Sequence, residues 1–454
     1  MKNKQKRYWL AASLFIFCAF CFYMAWAASQ PYNAAPDESM RYQISEFIYH
    51  KGTLPLGGDP VIRNPIWGIS YGFTPILPQI IGAVFMKITS LFTKDAFALL
   101  MSVRFVSVLC NTGTVFMCFK IAEKLFSELY RWIFVISIAM LPQFIYIGSY
   151  VNNDALAIFS TAIIVYSWII GLASHWSRSS CISLSLGLSL CALTYYNAFG
   201  FILCSILLYA ADRLITYRSS GKLERRQEFR LDTGRQAGLM IALVFLLAGW
   251  WYIRNAIIYD GDFLGLRTSN HYAQLYAQDK YKPTNIYCGY TQYWTLLYML
   301  IDQRWLQTSF KSMIGIFGYF QLYLKSVMYY IYLVLWGGSA VGVVSWVLNG
   351  LTVRTVKLDK TKLLLPAVML MAIPIPIILS IYYSYYSDFE PQGRYLLPML
   401  IPLMFFITRG YQQIIEKLLT SVWIRRGVQI LLCLWSVAIA FYSYFKIILP
   451  HYVH

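Results

Sequence analysis

Residues 8–41 read YWLAASLFIFCAFCFYMAWAASQPYNAAPDESMR. Tyr8 to Ala28 carries no charge, and roughly 20 such residues make a helix that crosses about 30 Å of hydrocarbon. The bases just before it, Lys2, Lys4, Lys6 and Arg7, predict an N-terminus held in the cytoplasm. Just after it come two adjacent carboxylates, Asp37 and Glu38, and then Arg41. The stretch therefore reads as a first membrane helix that delivers an acidic motif to the non-cytoplasmic surface. Ala25-Trp26-Ala27 could pass for a signal-peptidase site, but the apolar run exceeds a signal core and further spans follow, so an uncleaved helix is expected.

The rest of the chain agrees with that start. Of 454 residues, 58% are hydrophobic and only 13% charged, too little charge to cover a soluble protein of this length. Helices satisfy their own backbone in lipid, and the alternating ten-residue segments of a membrane barrel are missing. The expected fold is all-α: one polytopic transmembrane bundle over 1–454, of about 11 spans, with juxtamembrane helices on the outer face. The net charge of +18 falls mostly in short loops between apolar runs. That is the positive-inside pattern and no footprint for nucleic acid. Eight of the nine cysteines lie in apolar runs, only Cys288 lies in a polar loop, and no metal-ligand or disulfide spacing emerges.

Bases and span lengths alone fix an expected topology. The first outer loop runs over 29–95, with a short amphipathic helix from Asp37 to His50 and a surface helix within Tyr71–Phe92. Spans follow over Ala96–Ile121, Trp132–Gly148 and Ala155–Ala173. Cys181–Ala211 is long for one span and short for two. The basic loop from Arg213 to Arg235 must be inside, so the segment goes out and returns, turning near Tyr195-Tyr196-Asn197-Ala198. Ala237–Ile258 leads outward into a large, tyrosine-rich outer loop over 259–311. Four more spans complete the chain: Val327–Leu348, Leu363–Tyr383, Tyr395–Thr408 and Val428–Leu449.

This topology places Asp37, Glu38, Arg41, Asp154, Asn197, Arg254, Asn255, Glu390 and Arg394 at the outer ends of spans. Arg254 and Arg394 stand against the positive-inside bias and abut helix ends. Cations fixed at such positions point to a bound anion, and phosphate suits the guanidinium fork. Plainer readings stand beside this one. Asp37 fits a helix N-cap paired with Arg41 at i,i+4, Asp154 fits a cap of its own span, and Trp250 and Trp251 fit an interfacial belt. Arg104, inside a span, needs a partner or a water-filled cavity.

Taken together, these residues resemble the GT-C class of polytopic glycosyltransferases, and within it an uncharacterised bacterial branch of predicted membrane proteins. The resemblance rests on Pro36-Asp37-Glu38, on Leu141-Pro142-Gln143 followed by Asn153-Asp154, on Trp251 to Asn255 followed by Gly261-Asp262, and on Gln392-Gly393-Arg394-Tyr395 with Pro398. It implies an enzyme that uses polyprenyl-linked sugar donors on the non-cytoplasmic face of the cell membrane. It implies an acidic pair in the first outer loop, matched by Asp37 and Glu38, and a second acidic site matched by Asp154. Related chains often carry a lysine after the leucine-threonine pair, where Leu193-Thr194 is followed here by Tyr195-Tyr196. The phosphate contact is then missing or supplied elsewhere, with Arg254 and Arg394 as candidates.

The expected reaction moves a sugar from a polyprenyl phosphate to an envelope glycan, lipid or protein. Asp37 is the base, Glu38 assists or orients, Arg394 and Arg254 hold phosphate, and Arg41, Asp154, Asn197, Asn255 and Glu390 support. A monophosphate leaving group requires no metal, whereas a pyrophosphate donor would place a divalent cation on Asp37 and Asp154. Rival readings are a transporter or flippase of lipid-linked glycans and a non-catalytic subunit of envelope assembly. The topology is testable directly: a cysteine placed at Asn33 should react with a membrane-impermeant thiol reagent in intact spheroplasts. Reaction only after lysis would put the acidic motif in the cytoplasm.

Overall fold

The computed structural model describes residues 2–219, 223–352 and 360–453. The inner-loop bases Lys222, Arg354 and Lys357 and the terminal His454 lie outside the described residues. The chain opens with α1 (Lys2–Ser29). Two shorter helices, α2 (Glu38–Lys51) and α3 (Leu77–Thr89), follow before α4 (Ala96–Leu125). Then come α5 (Glu128–Ala139), α6 (Pro142–Ile147), α7 (Asp154–Ala173), α8 (Arg178–Ala192), α9 (Gly200–Ser219) and α10 (Leu223–Ile258). The segment after α10 holds α11 (Leu266–Tyr276), α12 (Leu296–Ile301) and α13 (Trp305–Gly315). A two-residue hairpin, Ile316–Phe317 against Leu322–Tyr323, joins α13 to α14 (Ser326–Thr352). The chain closes with α15 (Lys360–Ala372), α16 (Pro374–Tyr386), α17 (Leu400–Leu418), α18 (Val422–Ser443) and α19 (Leu449–Tyr452).

Eight described helices are long and apolar enough to cross a membrane, against about 11 expected spans. The difference lies in three segments. The run expected to cross at 132–148 is broken: α5 stops at Ala139 and Pro142 starts a new short helix, because proline has no amide to continue the ladder. The helix α8 has 15 residues, about 22 Å at 1.5 Å per residue. The segment 395–408 begins as a 3₁₀ turn over Gly393–Met399, and α17 then continues to Leu418 with Arg409, Glu416 and Lys417 in its second half. Within 181–211 the chain breaks where a turn was expected: α8 and α9 are separate helices joined through a 3₁₀ turn at Tyr196–Ala198.

The core is apolar and centred on α4, α5, α7 and α17. Leu156 to Leu172 of α7 bury nearly all their side chains, so this helix is hydrophobic all round, as a central helix must be. The α14–α17 crossing is made by small residues. A Cβ on Gly342 would fall 2.2 Å from the Gly410 carbonyl, and one on Gly410 would fall 2.0 Å from that of Ser339. Close backbone approach of this kind is how helices associate where the hydrophobic effect is absent.

Arg104 of α4 has the partner its position demanded. The guanidinium and the Glu38 carboxylate are both fully buried and 2.8 Å apart. Arg104 donates Nε to Glu38 Oε1 and Nη2 to Glu38 Oε2 and the Pro31 carbonyl, and Nη1 goes to the carbonyls of Ala27 and Gln30. That uses every donor of the fork. Glu38 also accepts the backbone amides of Asn33 and Val151. One ion pair therefore joins the end of α1, the start of α2, the middle of α4 and the loop before α7.

Breaking such a pair leaves an uncompensated buried charge, so Arg104→Met should destabilise the fold by about 3–5 kcal/mol. Thermal unfolding in detergent would show it, and adding Glu38→Leu should recover part of the loss.

Candidate functional site

The loop 30–37 ends in an unusual residue. Asp37 stands at the N-cap position of α2 with φ 65°, in the left-handed region, and makes no side-chain cap bond. Non-glycine residues adopt that region rarely. The capping reading therefore gives way: the carboxylate leaves its own helix and accepts from Arg394 Nη2 at 2.6 Å. The expected i,i+4 side-chain pair with Arg41 is also absent from the hydrogen bonds. Arg41 instead lies over the Tyr71 ring at 3.8 Å while its charge faces Asp37 and Asp154.

Arg394 is placed by backbone packing. Its neighbour Gly393 donates its amide to Ser312 of α13, and a Cβ there would sit 1.9 Å from the Met313 nitrogen. Only glycine lets the chain pass this close. The next residue, Arg394, then turns inward, only 4% exposed. Its Nη2 is shared between Asp37 and the Tyr395 hydroxyl, which in turn donates to Glu390. Asp154, at the first turn of α7, is 5% exposed and faces both guanidiniums. Tyr150 and Tyr195 line the same space, and the Tyr195 ring stacks on Tyr395 at 6.0 Å.

Three donors in this cluster are left over. Arg394 Nε, Arg394 Nη1 and Arg41 Nε are buried and make no well-directed hydrogen bond among the described residues, with the Tyr150 hydroxyl the nearest side-chain group to the Arg394 fork beyond Asp37 and Tyr395. Unmade hydrogen bonds on buried charged groups are costly, so these three donors are open hydrogen-bonding capacity on two buried guanidiniums. Among the described residues, no three His, Cys, Asp or Glu side chains come together as metal ligands.

The electrostatics separate two kinds of carboxyl. Burial pushes Asp37 up, but Arg394 and Arg41 outweigh it and hold its carboxyl below the usual range. Across the site, burial and the mutual repulsion with Glu390 and Asp37 push Asp388 up to about 7. Glu390 is likewise raised, by burial first and then Asp37, against the pull of Arg394.

The structure thus brings Asp37, Arg41, Asp154, Glu390 and Arg394 together. Glu38 is adjacent in sequence but its carboxylate is spent on Arg104 and two backbone amides, which gives the expected catalytic assistance no support. Arg254 and Asn255 lie one layer away. Arg254 donates to the Pro55 carbonyl at 2.7 Å and Asn255 to that of Phe73 at 3.1 Å, so both brace the first long loop. Asn197 sits half-buried in the turn before α9 with no hydrogen bond among the described residues. The expected partner of Arg394 was Arg254, and the structure supplies Arg41 instead. Tyr71, Tyr150 and Asp388 were not singled out, and Tyr195 and Tyr395 entered only as parts of motifs, with no role at the site. Tyr195, at the position where the resemblance implies a lysine, faces the guanidiniums of Arg394 and Arg41.

No family model matches the sequence, and neither does any curated protein sequence. The fold is similar to that of the archaeal oligosaccharyltransferase AglB from Archaeoglobus fulgidus in complex with an inhibitory peptide and a dolichol-phosphate. The TM-score is 0.53 at 12% identity, over 96% of this chain and 56% of that one. It is also similar to ArnT from Cupriavidus metallidurans bound to undecaprenyl phosphate, with TM-score 0.51 and 12% identity over 97% of this chain and 73% of that one. The chain has the GT-C fold. It spans just over half the length of the oligosaccharyltransferase.

The raised carboxyl gives a pH signature. A carboxyl whose folded pKa lies above its unfolded value contributes stability at low pH and loses it as pH rises through the folded value. The melting temperature should therefore fall as pH rises from about 4 towards about 7. Asp388→Asn should flatten that slope, read by differential scanning fluorimetry in detergent.

Proposed function

We propose that this protein is a membrane glycosyltransferase that takes a sugar from a polyprenyl phosphate and transfers it to an envelope acceptor. The reaction runs on the non-cytoplasmic face of the cell membrane and inverts the anomeric centre. One observation carries the reading: three buried, unpartnered guanidinium donors of Arg41 and Arg394 beside the ionised Asp37. The GT-C fold, shared with proteins solved with lipid-linked phosphates, supports it.

In this reading the phosphate seats against Arg394 Nε and Nη1 and Arg41 Nε. Its negative charge competes with Asp37 for Arg394 and adds repulsion, so the Asp37 carboxylate becomes more basic when the donor is bound. The acceptor hydroxyl then gives its proton to Asp37 as its oxygen attacks the anomeric carbon. The bond from that carbon to the phosphate oxygen breaks, and the electron pair leaves with the polyprenyl phosphate, whose charge the two arginines stabilise. Asp154 holds Arg41 and Arg394 in place, and Glu390 does the same through Tyr395. Glu38 positions Asp37 by fixing the start of α2 to α4. A divalent cation, with a pyrophosphate donor, would take Asp37 and Asp154 as ligands beside two guanidiniums; no step here runs through a metal.

Arg394→Ala should weaken undecaprenyl phosphate binding at least about tenfold, the equivalent of one charge-assisted hydrogen bond, measured by native mass spectrometry. Asp37→Asn should keep that binding yet lower transfer by about 100-fold or more. Mass analysis of cell-envelope glycans would then find polyprenyl-phosphate sugar accumulating. Unchanged glycans in a strain lacking the gene would refute the enzyme.

A further inference from the structure

A cavity lies across the Tyr71–Phe73 turn from the Arg41–Arg394 cluster. It measures about 700 Å³, within the roughly 300–1,000 Å³ of small-ligand pockets. One wall is a face of α11, where Arg267, Thr268, His271 and Tyr272 fall at helical spacing. The others are Asp260 after α10 and Asp59 in the loop after α2.

The chemistry of this lining picks a ligand class. Asp59 Oδ1 accepts from the Val61 amide, and its second oxygen is uncommitted among the described residues. The Asp260 carboxylate and His271 imidazole are exposed and accept no hydrogen bond from a described residue. Arg267 reaches only the Asp260 carbonyl, at 3.2 Å. Carboxylates accept from paired hydroxyls, while guanidinium and imidazole donate to them. Both signs of charge line the space, so no single-sign field favours phosphate or a metal cation. Leu56, Pro60, Ile258 and Tyr259 supply apolar surface between these polar groups. Tyr272 adds a ring, packed on its far side against the Gly58 backbone. Hydroxyl-pairing groups of both polarities around an aromatic wall suit a neutral carbohydrate.

The cavity is coupled to the anion site through one turn, Tyr71–Phe73. On the cavity side, the Phe73 ring meets Tyr259 at 5.3 Å and Tyr272 at 5.4 Å. On the other side, Tyr71 carries the Arg41 guanidinium. Cα atoms two residues apart lie no more than about 7 Å from each other. We propose that this cavity binds the acceptor, and that the acceptor is a neutral glycan chain. The inference rests on the transferase reading above. A donor's sugar is tethered to the phosphate at Arg41 and Arg394, so a separate sugar cavity belongs to the acceptor.

The test is saturation-transfer NMR on the full chain in nanodiscs, with chitotriose, mannotriose, maltotriose and galactotriose as probes. Transfer to at least one is expected. It should be lost in Asp59→Asn/Asp260→Asn, where asparagine still caps the Val61 turn, and in Leu56→Trp, which fills the cavity from an exposed position. It should persist in Arg394→Ala. No transfer to any probe overturns the proposal, as does transfer that survives both cavity variants. A probe displaced by undecaprenyl phosphate and insensitive to the cavity variants would belong to the donor site and also overturns it. Undecaprenyl phosphate binding, measured in the same samples, judges the anion site separately: its absence from the wild type refutes the donor reading whatever the glycans do.

Discussion

The Glu38–Arg104 ion pair is the constraint on which the rest of the site depends. Two unit charges buried in a low-dielectric interior are tolerable only when every remaining donor and acceptor is also used. Here all five guanidinium donors and four carboxylate contacts are made within the protein. The geometry leaves little slack. The loop from Ala27 to Pro31 wraps the guanidinium, and α2 must start where its first residue meets α4. The preceding residue, Asp37, is thereby turned into the left-handed region and presented to Arg394. A carboxylate spent on Arg104 and one that reaches Arg394 sit side by side because adjacent residues at a helix start point in different directions.

From that anchor the electrostatics follow. Among the described residues, Asp37 is the one carboxylate in the cluster with a direct guanidinium bond, and its carboxyl is held low. Asp388 and Glu390, without such a bond, are held high. Pushing neighbouring carboxyls apart in this way is how one site keeps one group ionised and others protonated. Arg394 is the hub: it touches Asp37 directly, Glu390 through Tyr395, and it has two donors in reserve. An anion arriving there changes the charge balance of the whole cluster at once.

Much of this was legible in the sequence. Span lengths and basic loops were enough to collect Asp37, Arg41, Asp154, Glu390 and Arg394 at one end of the bundle, and contacts in the structure agree. The paired turn of 181–211 was also readable, because the basic loop behind it left no other path. Three things were not. Hydropathy does not register the helix break before Pro142, so 132–148 was read as one continuous helix where the structure has two short ones. It cannot tell which of two adjacent acids faces a buried arginine, so Glu38 and Arg104 were left unpaired. It also could not rank Arg254 against Arg41, since Arg41 lies in a loop helix where a base is unremarkable. The need of Gly393 for close packing on α13 is a tertiary fact with no local trace.

The central claim is that Arg41 and Arg394 form the seat of a polyprenyl phosphate. The most direct test is a cryo-EM structure of the full chain in nanodiscs with undecaprenyl phosphate. The account predicts the phosphate within hydrogen-bond distance of Arg394 Nε and Nη1 and Arg41 Nε, with Asp37 beside it. A phosphate seated at Arg254, or at the opposite end of the bundle near Arg409, would contradict it.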